Sequence, residues 1–240
     1  MITRRIGLLA ALFISLLVST AAAQVDARAR ELLEGLTPAD VGEIHNVDQS
    51  IKTTAYVDGE EPMESTARIV IDFDGRRLVT ITEMAGMSTK LVLKDGQVTM
   101  SMVGVPMTLP APPEAAAQME QMFDQNAPIL IKDGDVATFD GVVSYGDIVS
   151  GEQVTYTTHD DAGEATTLHY LFQDDKLIAV HSGFEDGEFL VVYAAPVDTG
   201  ALMGFDSSSY MLQGGTWKKV ADTHVEAVAY NTTLDESLFE

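Results

Sequence analysis

Histidines are the residues of this chain whose type and spacing come closest to a metal-binding or catalytic set. The chain has five of them. His169 and His181 fall on neighbouring predicted strands, with His159 as a third candidate, so spacing alone leaves a zinc-type site open. Histidines that lie separately on exposed strand faces are the alternative explanation, and we predict no metal ligands on this chain.

Other catalytic signatures are missing from the sequence. It contains no Gly-x-Ser-x-Gly nucleophile turn, no glycine-rich phosphate loop and no His-Glu-x-x-His zinc motif. It contains no cysteine, so disulfides and lipid attachment through a cysteine are excluded. Acidic stretches at 72–75 and 160–164 lack the ligand spacing of a twelve-residue calcium loop. We therefore expect a protein that is not an enzyme and uses no cofactor.

The chemistry that the sequence does offer is that of soft apolar side chains. Many of the 11 methionines fall in one stretch of predicted strands and helix. Methionine is flexible and polarizable, so a methionine-lined pocket can adapt to irregular apolar ligands such as acyl chains. Filling of an ordinary core by the same side chains is the alternative. We predict that eight apolar residues line or cover a ligand cavity: Met84, Met100, Met102, Met107, Leu109, Met119, Met122 and Phe123.

A helix from Pro112 to Asn126 must position the last three of these residues. Prolines suit its first turn, and Pro128 ends it. Its apolar side chains fall at i, i+4, i+7 and i+8 and form one stripe, which is typical of a helix with a single packed face. Such a helix either packs on a sheet as an ordinary core element or covers the open mouth of a curved sheet as a lid.

Alternating patterns predict antiparallel strands through most of the remaining chain. In residues 67–73, Ala67, Ile69 and Ile71 share one face while Arg68 and Asp72 take the other, as in a half-buried strand. Asp-Gly pairs begin at positions 58, 74, 95, 133, 140 and 186. These pairs favour tight hairpin turns, because both residue types tolerate positive φ.

The pattern as a whole predicts an α+β fold that is mainly β. About a dozen strands emerge, with one helix from about Val25 to Leu36 and another in the middle of the chain. A second short helical turn is predicted from Thr37. One strongly curved antiparallel sheet, or an incomplete barrel, with an N-terminal helix and a central helix accounts for these elements.

The amino terminus has the three-part pattern of a secretory signal. Arg4 and Arg5 precede an apolar run from Ile6 to Val18, and small residues follow up to Ala23. The run is shorter than the roughly 20 apolar residues of a membrane-spanning helix. We predict a signal peptide over residues 1–23, cleaved after Ala23, and a single domain over residues 24–240. The mature chain would then be periplasmic or extracellular, without an integral membrane segment.

The chain is strongly acidic. It carries 14 Lys and Arg against 37 Asp and Glu, a formal net charge of −23. Nucleic acids and anionic membrane surfaces require clustered basic residues, so neither is an expected partner. The 46% hydrophobic content is too high for a disordered acidic tail. The charge therefore serves solubility or attracts a basic partner.

The carboxyl end resembles that of the LolA-type lipoprotein carriers. There a last strand leads into an asparagine, a Leu-Asp pair and a Ser-Leu-Phe sequence, which here are Asn231, Leu234-Asp235 and 237–239. The order of amino-terminal helix, strands and central helix is also similar. The resemblance implies an incomplete barrel with a helical lid over an apolar cavity that shelters lipoprotein acyl chains. It further implies a membrane release complex and an acceptor as partners.

The resemblance also implies an arginine that helps to hold the lid closed, and the candidates are Arg68, Arg76 and Arg77. The proline and tryptophan that the family has in its early strands are absent from residues 73–78. We predict an exported protein that binds lipid or lipoprotein acyl chains, with lipoprotein carriage as the specific form. An exported sensor or regulator that binds a protein partner on the same scaffold is the alternative.

Overall fold

The fold is built on one 13-stranded antiparallel sheet. A computed structural model describes residues 25–36, 44–102, 104, 107–113, 115–116, 119, 123, 131–159, 165–184, 187–197 and 204–240. The strands are β1 (Asn46–Ala55), β2 (Met63–Asp72), β3 (Arg77–Met84), β4 (Met87–Lys94), β5 (Gln97–Met102), β6 (Thr108–Pro110), β7 (Val136–Tyr145), β8 (Val149–His159), β9 (Ala165–Gln173), β10 (Lys176–Phe184), β11 (Gly187–Val197), β12 (Ser207–Gln213) and β13 (Thr216–Tyr230). The predicted signal peptide and the helical turn from Thr37 lie outside these residues.

The strand order consists of two meanders joined in the middle. From one end of the sheet to the other it runs β6-β5-β4-β3-β2-β1-β13-β12-β11-β10-β9-β8-β7. Each strand therefore pairs with its neighbours in sequence, except that β1 pairs with β13. The sheet is curved and does not close between β6 and β7, which confirms the predicted incomplete barrel.

Asp-Gly pairs form tight turns at only some of the predicted positions. Asp95 and Gly96, at φ of 53° and 69°, form the β4–β5 turn as predicted. The prediction was wrong for Asp140-Gly141, which lies inside β7 at a shift in the β7–β8 register. There the tolerance of glycine for positive φ (79° at Gly141) serves a β-bulge rather than a turn.

The N-terminal helix α1 (Ala27–Gly35) packs on the half of the sheet that ends in β7. Asp26 caps it, because its Oδ1 accepts a hydrogen bond from the Arg28 N–H at 2.8 Å. The helix begins two residues later than predicted, since Val25 forms a parallel bridge with Ala137 of β7. Its buried face contacts apolar residues of the sheet: Ala137, Val154, Tyr156, Tyr170, Phe172, Leu177 and Val197.

A central helical segment covers the same face of the other half. The residues described as helical in it are Pro113, Ala115, Ala116, Met119 and Phe123. The Ala116 N–H donates a hydrogen bond to the Pro112 carbonyl at 3.0 Å, as in a first helical turn. The predicted remainder, including Met122 and the end at Asn126, lies outside the described residues. Among the described residues, no helix has the length and apolar character needed to cross a membrane.

A short 3-10 helix at the carboxyl end (Glu236–Phe239) was not predicted. It lies on the opposite face of the sheet, where Phe239 is buried against Val70, Val79 and Val92. The Arg77 guanidinium carbon lies 4.3 Å from the centroid of the Phe239 ring. The Ser-Leu-Phe sequence at 237–239 therefore covers part of the sheet face opposite the helices.

Candidate functional site

The face of the sheet that the helices cover, here called the inner face, carries a mainly apolar strip across β1 to β6. Four polar residues interrupt it: Gln49, Thr80, Thr82 and Thr89. Side chains alternate between faces along a strand, and directly paired residues share a face. Leu91 pairs with Met100, which pairs with Leu109, so these three residues share a face. Leu93, two residues along from Leu91, packs with the buried cluster beneath Met119. The register therefore places sheet residues of the predicted site on the face that the central helical segment covers.

One end of this strip is closed by the central helical segment. Met119 and Phe123 are buried and pack on an apolar cluster of the sheet: Val47, Ile69, Ile71, Leu78 and Leu93. The Thr80 hydroxyl lies 3.8 Å from the Met119 sulfur, within the range of a weak hydrogen bond. The spacing of four residues between Met119 and Phe123 thus produces one buried stripe, as the sequence pattern predicts.

The other end of the strip leaves large apolar side chains open to solvent. Met84, Met102 and Leu109 are 45, 49 and 46% exposed, and Met107, just before β6, is also exposed. Met100 is half-buried between the two ends. Exposed groups of large apolar side chains often mark a surface that binds a partner or a ligand. The predicted residues thus divide into a covered group and an exposed group on one strip.

Similar solved structures share this architecture over most of their length. A LolA superfamily protein from Nitrosomonas europaea aligns over 88% of this chain and 97% of its own, with a TM-score of 0.57 and 9% sequence identity. The fold is that of the LolA superfamily. An outer membrane lipoprotein-sorting protein domain from Vibrio parahaemolyticus aligns over 88% of this chain and 94% of its own, with a TM-score of 0.50 and 8% identity. No protein-family model and no curated protein sequence matches the chain.

Within this LolA-like fold, the three candidate arginines take different positions. The guanidinium carbon of Arg76 lies 4.8 Å from the centroid of the Phe123 ring on the central helical segment. Arg68 instead makes two hydrogen bonds to Asp48. Arg77 binds Asp72 and the carboxyl-terminal Glu236. Arg76 is therefore the arginine that contacts the described part of the segment.

Histidines of the LolA-like sheet form a hydrogen-bonded network rather than a ligand set. His181 pairs directly with His169, and their rings stack with centroids 5.0 Å apart. Thr155 Oγ1 lies 2.8 Å from His169 Nδ1, and Tyr145 OH lies 3.0 Å from His181 Nδ1. His159 lies farther along β8. Within the described ranges, no group of three or more His, Asp or Glu residues is arranged to hold a metal ion.

The electrostatics of this network follow from its burial on the face opposite α1. Burial lowers the pKa of His169, and burial together with the charge of His169 lowers the pKa of His181. Burial raises the pKa of Tyr145 to about 12, so its hydroxyl stays protonated. These shifts favour the neutral forms of the three side chains, which stabilise the sheet through hydrogen bonds.

Two further methionines extend the exposed end of the strip and were not predicted as site residues. Met87 pairs directly with Met84 across the β3–β4 hairpin. Met63 begins β2, and both are exposed. The signal for Met63 was present, because the alternation of Ala67 and Ile69 continues back through Ser65 to Met63. The predicted strand simply began too late.

An open groove of about 540 Å³ lies at the same hairpin, and Met84 and Met87 form part of its lining, but most of its lining residues are polar. Lys52 bonds to Glu64 there at 2.9 Å, and Glu83 and Glu226 complete its charged lining. Charged walls do not suit an acyl chain, whose transfer is favourable only onto apolar surface. The methionine strip is therefore the better candidate for an apolar ligand.

Proposed function

We propose that this protein is an exported carrier that shelters lipid or lipoprotein acyl chains on the inner face of its open sheet. One observation carries the proposal. The same apolar strip is covered by Met119 and Phe123 at one end and exposed at Met84, Met102 and Leu109 at the other. An acyl chain laid along the exposed end would remove these side chains from water, at about 25 cal/mol per Å² of apolar surface.

The mechanism is non-covalent and depends on the central helical segment. The described residues of the segment hold the strip through the apolar contacts of Met119 and Phe123 and through the Arg76–Phe123 contact. Its outward movement would lengthen the apolar strip and admit a chain, and its return would exclude water from the chain. Met107 directly precedes β6, and Met122 belongs to the apolar stripe of the predicted central helix. We include both in the binding surface.

Export and transfer complete the proposal. A signal peptide over residues 1–23, cleaved after Ala23, would deliver the domain to the periplasm or the cell exterior. The similar structure from Vibrio parahaemolyticus is an outer membrane lipoprotein-sorting protein domain. By analogy we assign a membrane release complex as the donor of the acyl chain and a membrane-bound acceptor as its destination.

The test is binding of a fluorescent acyl probe by the mature protein. Met102→Asp with Leu109→Asp places two charges on the exposed end, and we expect it to abolish probe binding without unfolding the sheet. Val142→Asp is the matched control, because Val142 is an exposed apolar residue on the edge strand β7. Met119→Asp with Phe123→Asp tests the covered end in the same assay, with circular dichroism to verify folding.

Unchanged binding in the folded Met102→Asp, Leu109→Asp variant would contradict the proposal. Native mass spectrometry of the purified protein with lipid extraction gives an independent answer. Bound lipid supports the carrier. A lipid-free protein that captures a specific protein partner instead would support the sensor or regulator.

A further inference from the structure

Gln49 is a buried polar residue in the middle of the apolar strip. It is only 7% exposed, and its Oε1 has no hydrogen-bond partner. Among the buried side-chain nitrogen and oxygen atoms of the described residues, it alone lacks one. Burying an amide without a compensating hydrogen bond is unfavourable, and such groups in a folded protein call for a functional explanation.

The side chains directly beside Gln49 on the sheet are apolar. On β1 it lies between Val47 and Ile51, which share its face. Across the strand pairs it lies opposite Ile69 of β2 and Val228 of β13. None of these side chains has a polar atom, so none can donate a hydrogen bond to the amide oxygen.

The position of Gln49 is at the boundary between the covered and the open parts of the inner face. Val47 and Ile69 belong to the buried cluster beneath Met119. Val228, on the other side of Gln49, is exposed. A ligand that displaces the central helical segment from Val47 and Ile69 would therefore meet the Gln49 oxygen.

A second buried glutamine, Gln153, has a structural role, and both ends of its amide are hydrogen-bonded. Gln153 is also 7% exposed, on the opposite face. Its Oε1 accepts a hydrogen bond from Tyr145 OH at 2.8 Å, and its Nε2 donates to Asp140 Oδ2 at 2.8 Å. The contrast between these two residues makes the unpaired oxygen of Gln49 a local feature of the strip.

We propose that Gln49 Oε1 is the polar anchor of the ligand site and that it accepts a hydrogen bond from an amide N–H attached to the acyl chain. An ester offers only acceptors, so it cannot pair with Gln49 Oε1. A fatty-acid anion also lacks a donor, and the net charge of −23 repels it. The preferred ligand class is therefore a neutral N-acylated amine or peptide. This inference rests on the proposed acyl-chain carriage and specifies its ligand.

The energetic consequence is a closed state that is destabilised until the ligand arrives. Without ligand, the covered strip keeps an acceptor away from water. With an N-acyl ligand, the same acceptor is paired. Removal of the amide should therefore raise the stability of the empty protein and lower its affinity for N-acyl ligands. Opposite changes of this kind are typical of binding residues that natural proteins keep at a cost in stability.

The experiment compares two probes of equal chain length, N-methylpalmitamide and methyl palmitate, as competitors of a fluorescent acyl probe. The wild-type protein should prefer the amide by roughly three- to tenfold, the effect of one buried hydrogen bond. Gln49→Leu should bind both probes equally and melt at a higher temperature than wild type. Gln153→Leu, the matched control, should melt at a lower temperature and keep the preference for the amide.

The outcomes separate this inference from the proposed function. Equal binding of amide and ester by the wild-type protein, or an unchanged amide preference in Gln49→Leu, overturns the role of Gln49 and leaves acyl-chain carriage intact. A lower melting temperature for Gln49→Leu overturns it as well. Failure of the wild-type protein to bind either probe overturns both the carrier and the anchor.

Discussion

The guanidinium carbon of Arg76 lies 4.8 Å from the centroid of the Phe123 ring and links the β2–β3 turn to the central helical segment. The Phe73 ring also contacts the Phe123 ring, with the two ring centroids 5.9 Å apart. Phe123 is thus held between a cation and a second ring. These contacts are among the few described ones that would have to break for the segment to leave the sheet.

Replacement of Arg76 should loosen the segment. A cation–π contact contributes about 0.5–2 kcal/mol, depending on its exposure, so Arg76→Ala should accelerate release of a bound acyl probe. Stopped-flow dissociation of the fluorescent probe measures the rate. Arg68→Ala is the control, because Arg68 binds Asp48 rather than the segment. Equal release rates for the two variants would show that the Arg76–Phe123 contact does not hold the segment.

Phe239 should contribute strongly to stability although it is the penultimate residue of the chain. It is buried against Val70, Val79 and Val92, and Arg77 lies over its ring. Loss of a buried phenylalanine typically costs about 3–5 kcal/mol, so Phe239→Ala should lower the free energy of unfolding by that order. Urea denaturation measures it, with Val142→Ala as an exposed control. A change as small as that of the control would mean that the tail does not pack in solution.

The paired histidines should make the protein less stable in mild acid. Burial holds the pKa of His169 and His181 below the ordinary 6.5. As the pH falls through that value, the unfolded chain takes up protons that the folded protein does not. The free energy of unfolding therefore decreases from about pH 6.5 down to the folded-state pKa, below which the loss is complete.

Replacement of both histidines tests this pH dependence. Asp140 and Glu188 face the pair, and their charges oppose the effect of burial on the histidine pKa values. His169→Gln with His181→Gln should therefore flatten the decrease in stability between about pH 7 and pH 5. Thermal melting across this range measures it, with His159→Gln as the control for loss of a histidine. If the stability of the double variant decreased with pH as steeply as that of the wild type, groups other than these two histidines would cause the pH dependence.

Two strand glycines should respond in opposite ways to alanine. A Cβ at Gly151 would lie 2.6 Å from the Phe172 carbonyl oxygen, which belongs to the backbone of β9 and cannot move aside. Gly151→Ala should therefore lower stability by about 1–3 kcal/mol. A Cβ at Gly183 would meet nothing within 4 Å, so Gly183→Ala should be neutral or stabilising. Thermal melts of the two variants compare them directly, and equal shifts would contradict the steric explanation.

Much of the sheet could be predicted because alternation is a local property. The pattern at Ala67, Ile69 and Ile71 predicts a half-buried strand, and β2 is confirmed there. Strand β6 (Thr108–Pro110) was missed, since three residues that end in a proline carry no alternating signal. The bulge at Asp140-Gly141 was mistaken for a turn because both structures use the same glycine conformation.

The candidate site was only partly predictable, because its key relationships are between residues distant in sequence. The methionine pattern indicated an apolar strip, but no local signal shows that Met119 lies on Ile71 while Met102 stays exposed. Gln49 gave no signal either. A polar residue in a strand ordinarily faces water, and only the β1–β2 and β1–β13 pairing places it among apolar neighbours.

The pairing of β1 with β13 has a consequence for how the chain reaches its native state. Each meander can form from neighbouring hairpins, but the two are joined only when Val47 meets Tyr230. Closing a loop of nearly the whole chain makes this a late and slow step. Until Tyr230 has left the ribosome, neither edge of that junction has its partner. The two halves of the sheet therefore stay unjoined until β13 has been synthesised.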